Sequence, residues 1–199
     1  LQRDPENGWF HSNYGAVLHE QGKLDEAAAE YRVALRLNPE LADAANNLGL
    51  VLARQGKLDE AETFFRQSID KKGEVPDVHN NLAALLLLKG RNDEATAAAA
   101  EAVRLQPDHA EAVYNLGLAH ARGGRLDEAL ARFDEAVRLR PDYMDALVGR
   151  ADVFTMRQDW PSAEAAYRDV LRLRPDHDLA KRGLDRALAR SRIGRHTRH

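Results

Sequence analysis

Asp25-Glu26-Ala27, Asp59-Glu60-Ala61, Asp93-Glu94-Ala95 and Asp127-Glu128-Ala129 are four copies of one tripeptide, each 34 residues after the last. A fifth, degenerate copy, Pro161-Ser162-Ala163, falls on the same period. The loop prolines keep that step: Pro39, Pro107, Pro141 and Pro175, with Gly73 in the second place. No insertion or deletion interrupts the register from Gly8 to His177. A fixed period of this size marks one supersecondary unit per repeat, which buries its apolar face only by stacking on its neighbours.

Each unit carries two helical patterns. With Gly8 as position 1, position 8 is small (Gly15, Gly49, Ala83, Gly117, Ala151) and position 20 is always Ala (Ala27, Ala61, Ala95, Ala129, Ala163). Small residues there let the two helices approach closely. Position 24 is aromatic except in the third repeat: Tyr31, Phe65, Ala99, Phe133, Tyr167. Gly22, Gly56, Gly90 and Gly124 stand where the first helix ends in a left-handed turn, which a Cβ disfavours. Asp25, Asp59, Asp93 and Asp127 are expected to start the second helix and cap its free amides. Pro161 is expected at the first helical position of its counterpart. First helices are expected near 8–21, 42–55, 76–89, 110–123 and 144–157, and second helices near 25–37, 59–72, 93–105, 127–139 and 161–173. A last helix is expected over about 178–190. Its apolar stripe is Leu179, Ala180, Leu184, Ala187 and Leu188, its wet face is Lys181, Arg182, Asp185 and Arg186, and the tail frays after Ser191.

On these residues the chain resembles the tetratricopeptide repeat (TPR) family over nearly its whole length. The resemblance implies an all-α, right-handed α-solenoid of five helix-turn-helix repeats plus a C-terminal capping helix. Residues 1–7 then close a preceding repeat. The repeats are 8–41, 42–75, 76–109, 110–143 and 144–177, followed by a capping helix, 178–191, and a basic tail, 192–199. It also implies a protein-binding superhelix, with first helices on the concave face and second helices on the convex face.

The concave stripe is then positions 2, 5, 6, 9, 12 and 13, which is helical spacing. Position 6 reads Asn13, Asn47, Asn81, Asn115 and then Gly149. This asparagine ladder is similar to that in the TPR superhelix of O-linked N-acetylglucosamine transferases. Helices packed about 10 Å apart would present one amide to roughly every third residue of an extended peptide rising about 3.3 Å per residue. An amide that donates and accepts suits a peptide backbone. The blander account is that Asn is common at this position. Asn46, Asn80 and Tyr114 at position 5, Leu50 and Leu118 at position 9, and Arg54 and Arg122 at position 13 complete the expected peptide site. Leu87, Leu88 and Met156 add apolar character. The lysines of the family's carboxylate clamp have no counterpart, and the two arginines suit either a carboxylate or solvent.

Composition bounds the rest. A formal net charge of −3 points away from nucleic acid as a partner. There are no cysteines, so disulfides and thiolate chemistry are out. The longest apolar run, Leu82 to Leu88, is too short for membrane insertion. The eight histidines include no cluster with properly spaced carboxylates, so no metal and no cofactor is expected. No phosphate loop, nucleophile elbow or acid/base pair appears, so the chain is read as no enzyme. The closing segment from Asp178 holds seven Lys or Arg against two Asp; it reads as a solvated cap and tail, with contact to nucleic acid, an acidic protein or anionic lipid as the alternative.

The functional expectation is a protein-interaction scaffold that binds a peptide segment or helix of a partner. One alternative is the substrate-recognition arm of a larger, glycosyltransferase-like enzyme whose catalysis lies outside these residues. Another is a homo-oligomer formed through an uncapped N-terminal repeat, where Trp9, Phe10 and Tyr14 form a sticky end and Pro5 falls at position 32 of an earlier unit. A cytoplasmic location is expected, with the periplasm open. The junction of the second and third repeats, with Ala99 in place of an aromatic, is expected to be the weakest point.

Overall fold

The computed structural model describes residues 7–196, and side chains from 7 to 192. Among the described residues every regular element is helical, in the all-α class expected. The chain divides into two compact units, Leu1–Gln106 and Pro107–His199. The first holds three helix pairs: α1 (Gly8–Glu20) with α2 (Leu24–Leu37), α3 (Ala42–Arg54) with α4 (Leu58–Lys71), and α5 (Pro76–Leu88) with α6 (Asn92–Leu105). The second holds α7 (Ala110–Arg122) with α8 (Leu126–Leu139), α9 (Met144–Met156) with α10 (Trp160–Leu173), and α11 (Asp178–His196). Within the units, α2 packs on α3, α4 on α5, α8 on α9 and α10 on α11, so each of these four second helices is shared between its own repeat and the next first helix.

The turn glycines behave as their chemistry demands. Gly22, Gly56, Gly90 and Gly124 have φ of 73–77°, where a Cβ is costly. Gln158 takes the same turn in the last repeat at φ 58°. The aromatic at position 24 explains the small residue at position 8. A Cβ built on Gly49 would lie 2.7 Å from the Phe65 ring, and one on Gly117 2.9 Å from the Phe133 ring. Tyr31, Phe65 and Phe133 are almost wholly buried in these seats, and each contributes on the order of 2–3 kcal/mol by leaving water. The third repeat pairs Ala83 with Ala99 instead, both fully buried.

Several expectations are corrected. The second helices begin one residue earlier than expected, so the repeated aspartates do not cap. The capping positions are Lys23, Lys57, Arg91 and Arg125, with no side-chain cap bond. Inside the first turn, a carboxylate instead reaches the turn of the next repeat. Asp25 Oδ1 accepts from Gln55 Nε2 at 2.8 Å, Asp59 Oδ1 from Lys89 Nζ at 2.6 Å, and Asp127 pairs with Arg157 at 2.7 Å. In α10 the cap is Asp159, which accepts from the Ser162 amide, and Pro161 is the second helical residue, not the first. His109 and His177, expected simply as loop residues, accept from the amides of Ala112 and Ala180 and so cap α7 and α11. The last helix runs on to His196, past the expected end near 190. The expected end of a preceding repeat at 1–7 falls outside the described residues except for Asn7, whose side chain caps α1. Residues 197–199 of the expected tail also fall outside them.

The junction of the second and third repeats is held by charge. Glu62 on α4 is 9% exposed. Its carboxylate accepts from Lys89 at 2.5 Å, from Arg91 at 2.6 Å and from Arg66 at 3.0 Å. Burial alone would raise this carboxyl, but the three cations outweigh it and hold its pKa down at about 2. Nearby, His79 Nε2 lies 2.8 Å from the Gly73 carbonyl, tying the proline-free linker to α5.

Candidate peptide-binding face

The expected binding residues lie on the first helices of the two units. In the first unit Asn13 on α1 is exposed, while Asn46 and Asn47 on α3 and Asn80 and Asn81 on α5 are half-buried. Asn81 Nδ2 donates to Asn46 Oδ1 at 3.0 Å, which links α5 to α3. Asn46 Nδ2 in turn approaches Asn47 Oδ1 at 3.5 Å. The buried Tyr31 hydroxyl lies near the Asn47 amide without a well-formed hydrogen bond. Its pKa is pushed up to about 12, chiefly by burial. Asn47 and Asn81 are therefore not fully open rungs: each spends part of its surface on structure, which leaves a shorter row of amides for a ligand.

Beside them Leu50 is half-buried and Arg54 exposed. His19, half-buried on α1, has its pKa lowered by burial and then by the Arg54 charge, so the two groups are neighbours across α1 and α3. Leu88 is 70% exposed and available to a ligand, whereas Leu87 is buried in the core and is withdrawn from the expected groove.

In the second unit Asn115, Tyr114 and Leu118 are half-buried and Arg122 is exposed on α7. The Tyr114 ring sits 5.7 Å from Phe133 and 5.2 Å from Tyr143. Leu118 packs against the cluster that contains Phe133 and Val153. Both residues thus divide their surface between core and face. Burial raises the Tyr114 pKa, so its hydroxyl stays protonated and able to donate at neutral pH. On α9 the exposed Asp152 accepts from the buried Tyr167 hydroxyl at 2.6 Å, and Met156 is 56% exposed.

The ladder stops at Gly149 for a steric reason. A Cβ there would lie 2.8 Å from the Phe133 ring, which occupies the space an asparagine stem needs. The same holds at Gly183 on α11, where a Cβ would lie 2.4 Å from the Tyr167 ring. Gly183 is 34 residues after Gly149, so α11 continues the first-helix register. That period was available in the sequence. It places Arg182, Arg186 and Arg190 at positions 5, 9 and 13, the face-lining positions, where a generic cap helix had been expected.

Among the described residues no group of three His, Asp, Glu or Cys is arranged to hold a metal ion. No helix among them is long and apolar enough to cross a membrane.

Helix pairs on a strict period, stacked through shared second helices, define a helical repeat scaffold. A TPR repeat model matches residues 15–56, and tetratricopeptide repeat models match 41–75, 80–142 and 124–178. The chain belongs to the tetratricopeptide repeat family. No curated protein matches it. Among solved structures it is similar to YrrB, a TPR protein with an unusual peptide-binding site, at 25% identity and a TM-score of 0.78, over 90% of this chain and 92% of that one. It is similar in fold to MamA from Desulfovibrio magneticus RS-1, at 20% identity and a TM-score of 0.81, over 89% of this chain and 99% of that one. A tetratricopeptide repeat protein from Parabacteroides merdae ATCC 43184 shares the fold at 21% identity and a TM-score of 0.81, over 96% of this chain and 75% of that one.

Proposed function

We propose that the chain is a protein-interaction scaffold, with no catalysis of its own, that grips a peptide segment or helix of a partner along its first-helix faces. The observation that carries this is the recurrence of side-chain amides on α1, α3, α5 and α7, beside the half-buried Leu50, Tyr114 and Leu118 and the exposed Arg54 and Arg122. Amides on first helices can hold a peptide backbone, and partly buried apolar neighbours seat side chains. The likeness to YrrB, at 25% identity over most of both chains, supports a peptide as the ligand.

The test selects peptides on the full chain from a display library and measures them on Asn13→Ala/Asn47→Ala/Asn81→Ala/Asn115→Ala. Each lost hydrogen bond is worth about 0.5–1.5 kcal/mol, so the quadruple variant should bind on the order of 30-fold or more weaker while keeping its helical signal. Peptides held as tightly by the folded variant as by the wild type would sink the mechanism.

A second reading rests on a different face. In the second, third and fifth repeats the residues at positions 3 and 10 are buried under the preceding second helix: Ala44 and Val51, Val78 and Leu85, Ala146 and Val153. In the first repeat Val17 at position 10 is 47% exposed, with Tyr14 at 39%. A second copy would cover this stripe and give a homo-oligomer. Light scattering across concentrations checks it, and a protein monomeric throughout, with Val17→Glu changing nothing, would refute it.

A further inference from the structure

The last helix combines three observations. Ala180 and Ala187 are buried against the cluster around Tyr167, and Leu184 packs on it. Leu179, expected in that apolar stripe, is instead 63% exposed at position 2, because the first-helix register turns it outward. Arg182, Arg186 and Arg190, at positions 5, 9 and 13, are all exposed on the same side. Among the described residues none of the three forms an ion pair, while Lys181 on the same helix pairs with Asp178 at 3.7 Å. Arg186 lies close enough to Tyr167 for its charge to act on the hydroxyl that Asp152 accepts. Arg186 therefore lies near Asp152 on α9.

Spacing selects what the row fits. Residues four apart on a helix are separated by about 6 Å along its axis. An extended peptide presents every second side chain on one side, at about 6.6 Å. Three guanidiniums on successive turns thus match three carboxylates at alternate positions of an extended segment lying along α11. Guanidinium binds carboxylate through paired N–H donors. Intervening side chains would point away from α11.

Charge selects between peptide and nucleic acid. Asp145, Asp152, Asp178 and Asp185 are all exposed on α9 and α11. A strand with a phosphate at every residue would run onto these carboxylates, whereas a peptide can confine its acids to the arginine row.

We infer that Arg182, Arg186 and Arg190 form a subsite for an acidic partner segment with carboxylates at alternate residues. This rests on the reading of the first-helix faces as the binding surface, but it uses a different helix and a different chemistry from the asparagine row.

The experiment measures fluorescence anisotropy on the full chain with a short labelled peptide carrying glutamate at alternate positions and serine between. A peptide of the same composition with its glutamates in one block and a short oligothymidylate are run beside it. The alternating peptide should bind wild type more tightly than the block peptide. It should lose at least about tenfold on Arg182→Ala/Arg186→Ala/Arg190→Ala, and less on the triple Lys replacement, which keeps charge but not the paired donors. The arginines are exposed, so a retained helical signal in both variants is expected and is checked by circular dichroism. Equal binding by wild type and the Ala variant overturns the subsite. So does oligothymidylate binding as tight as that of the peptide and lost on the same variant, which would make the row a nucleic-acid site. The asparagine quadruple variant separates the two proposals. If it binds the alternating peptide normally yet also holds the library peptides normally, only the ladder fails; if it loses library peptides while the arginine variant changes nothing, only the subsite fails.

Discussion

Replacing Glu62 by Gln removes the carboxylate on which Lys89, Arg91 and Arg66 converge, and leaves three cations crowded at the junction of the second and third repeats. The carboxyl is held at about 2 against an ordinary 4.5. At about 1.4 kcal/mol per tenfold change in proton affinity, the upper bound is roughly 3.5 kcal/mol. Solvent reaches the cations, and Asp59 and Glu94 also pair with them, which lowers the expected loss to about 2 kcal/mol. The pH dependence follows from the direction of the shift. A carboxyl depressed in the folded state stabilises fully above its unfolded pKa and ceases to do so as pH falls through the folded value. The deficit of the variant should therefore be complete above pH about 4.5 and fade toward pH 2. Urea unfolding of both proteins across that range measures it, since the carboxylates outside this cluster titrate alike in each and cancel. Hydrogen exchange should place the loosening in α4–α6, because repeat arrays open locally. A deficit under about 0.5 kcal/mol at pH 7, or one that persists unchanged at pH 2, would refute the reasoning.

Two further substitutions probe the packing. Gly183→Ala puts a Cβ 2.4 Å from the Tyr167 ring, and should cost about 1–3 kcal/mol by overpacking the last helix seam. A melting temperature equal to wild type would show that the seam can open freely. Gln158→Gly relieves the positive φ of 58° in the last repeat's turn, and should stabilise by up to about 1 kcal/mol; a loss on denaturation would show that the Gln158 side chain contributes more than its backbone costs.

The helix pairs were legible because they follow from local chemistry. A 34-residue period, glycines that must take positive φ and small residues opposite rings specify where helices end and how closely they pack. The candidate site was legible only in outline. Periodicity put Asn13, Asn47, Asn81 and Asn115 on first helices, but whether an amide faces solvent or a neighbour depends on what lies across the helix seam. Asn81 reaches Asn46 across 35 residues of chain, a pairing no local pattern contains. The repeated aspartates misled for the same reason: a carboxylate one residue inside a helix start reads as a cap, and only the next repeat's turn offers Gln55, Lys89 or Arg157 as the closer partner.

Sequence by itself determined that this chain is a stack of helix pairs, since backbone preference and apolar period act within each 34-residue unit. Tertiary structure decided what the outward side chains do. It turned Leu179 out and Leu87 in, filled the space of a fifth asparagine with the Phe133 ring, and carried the first-helix register into α11. Those outcomes depend on side chains brought together from different repeats, and such contacts exist only once the helices have packed.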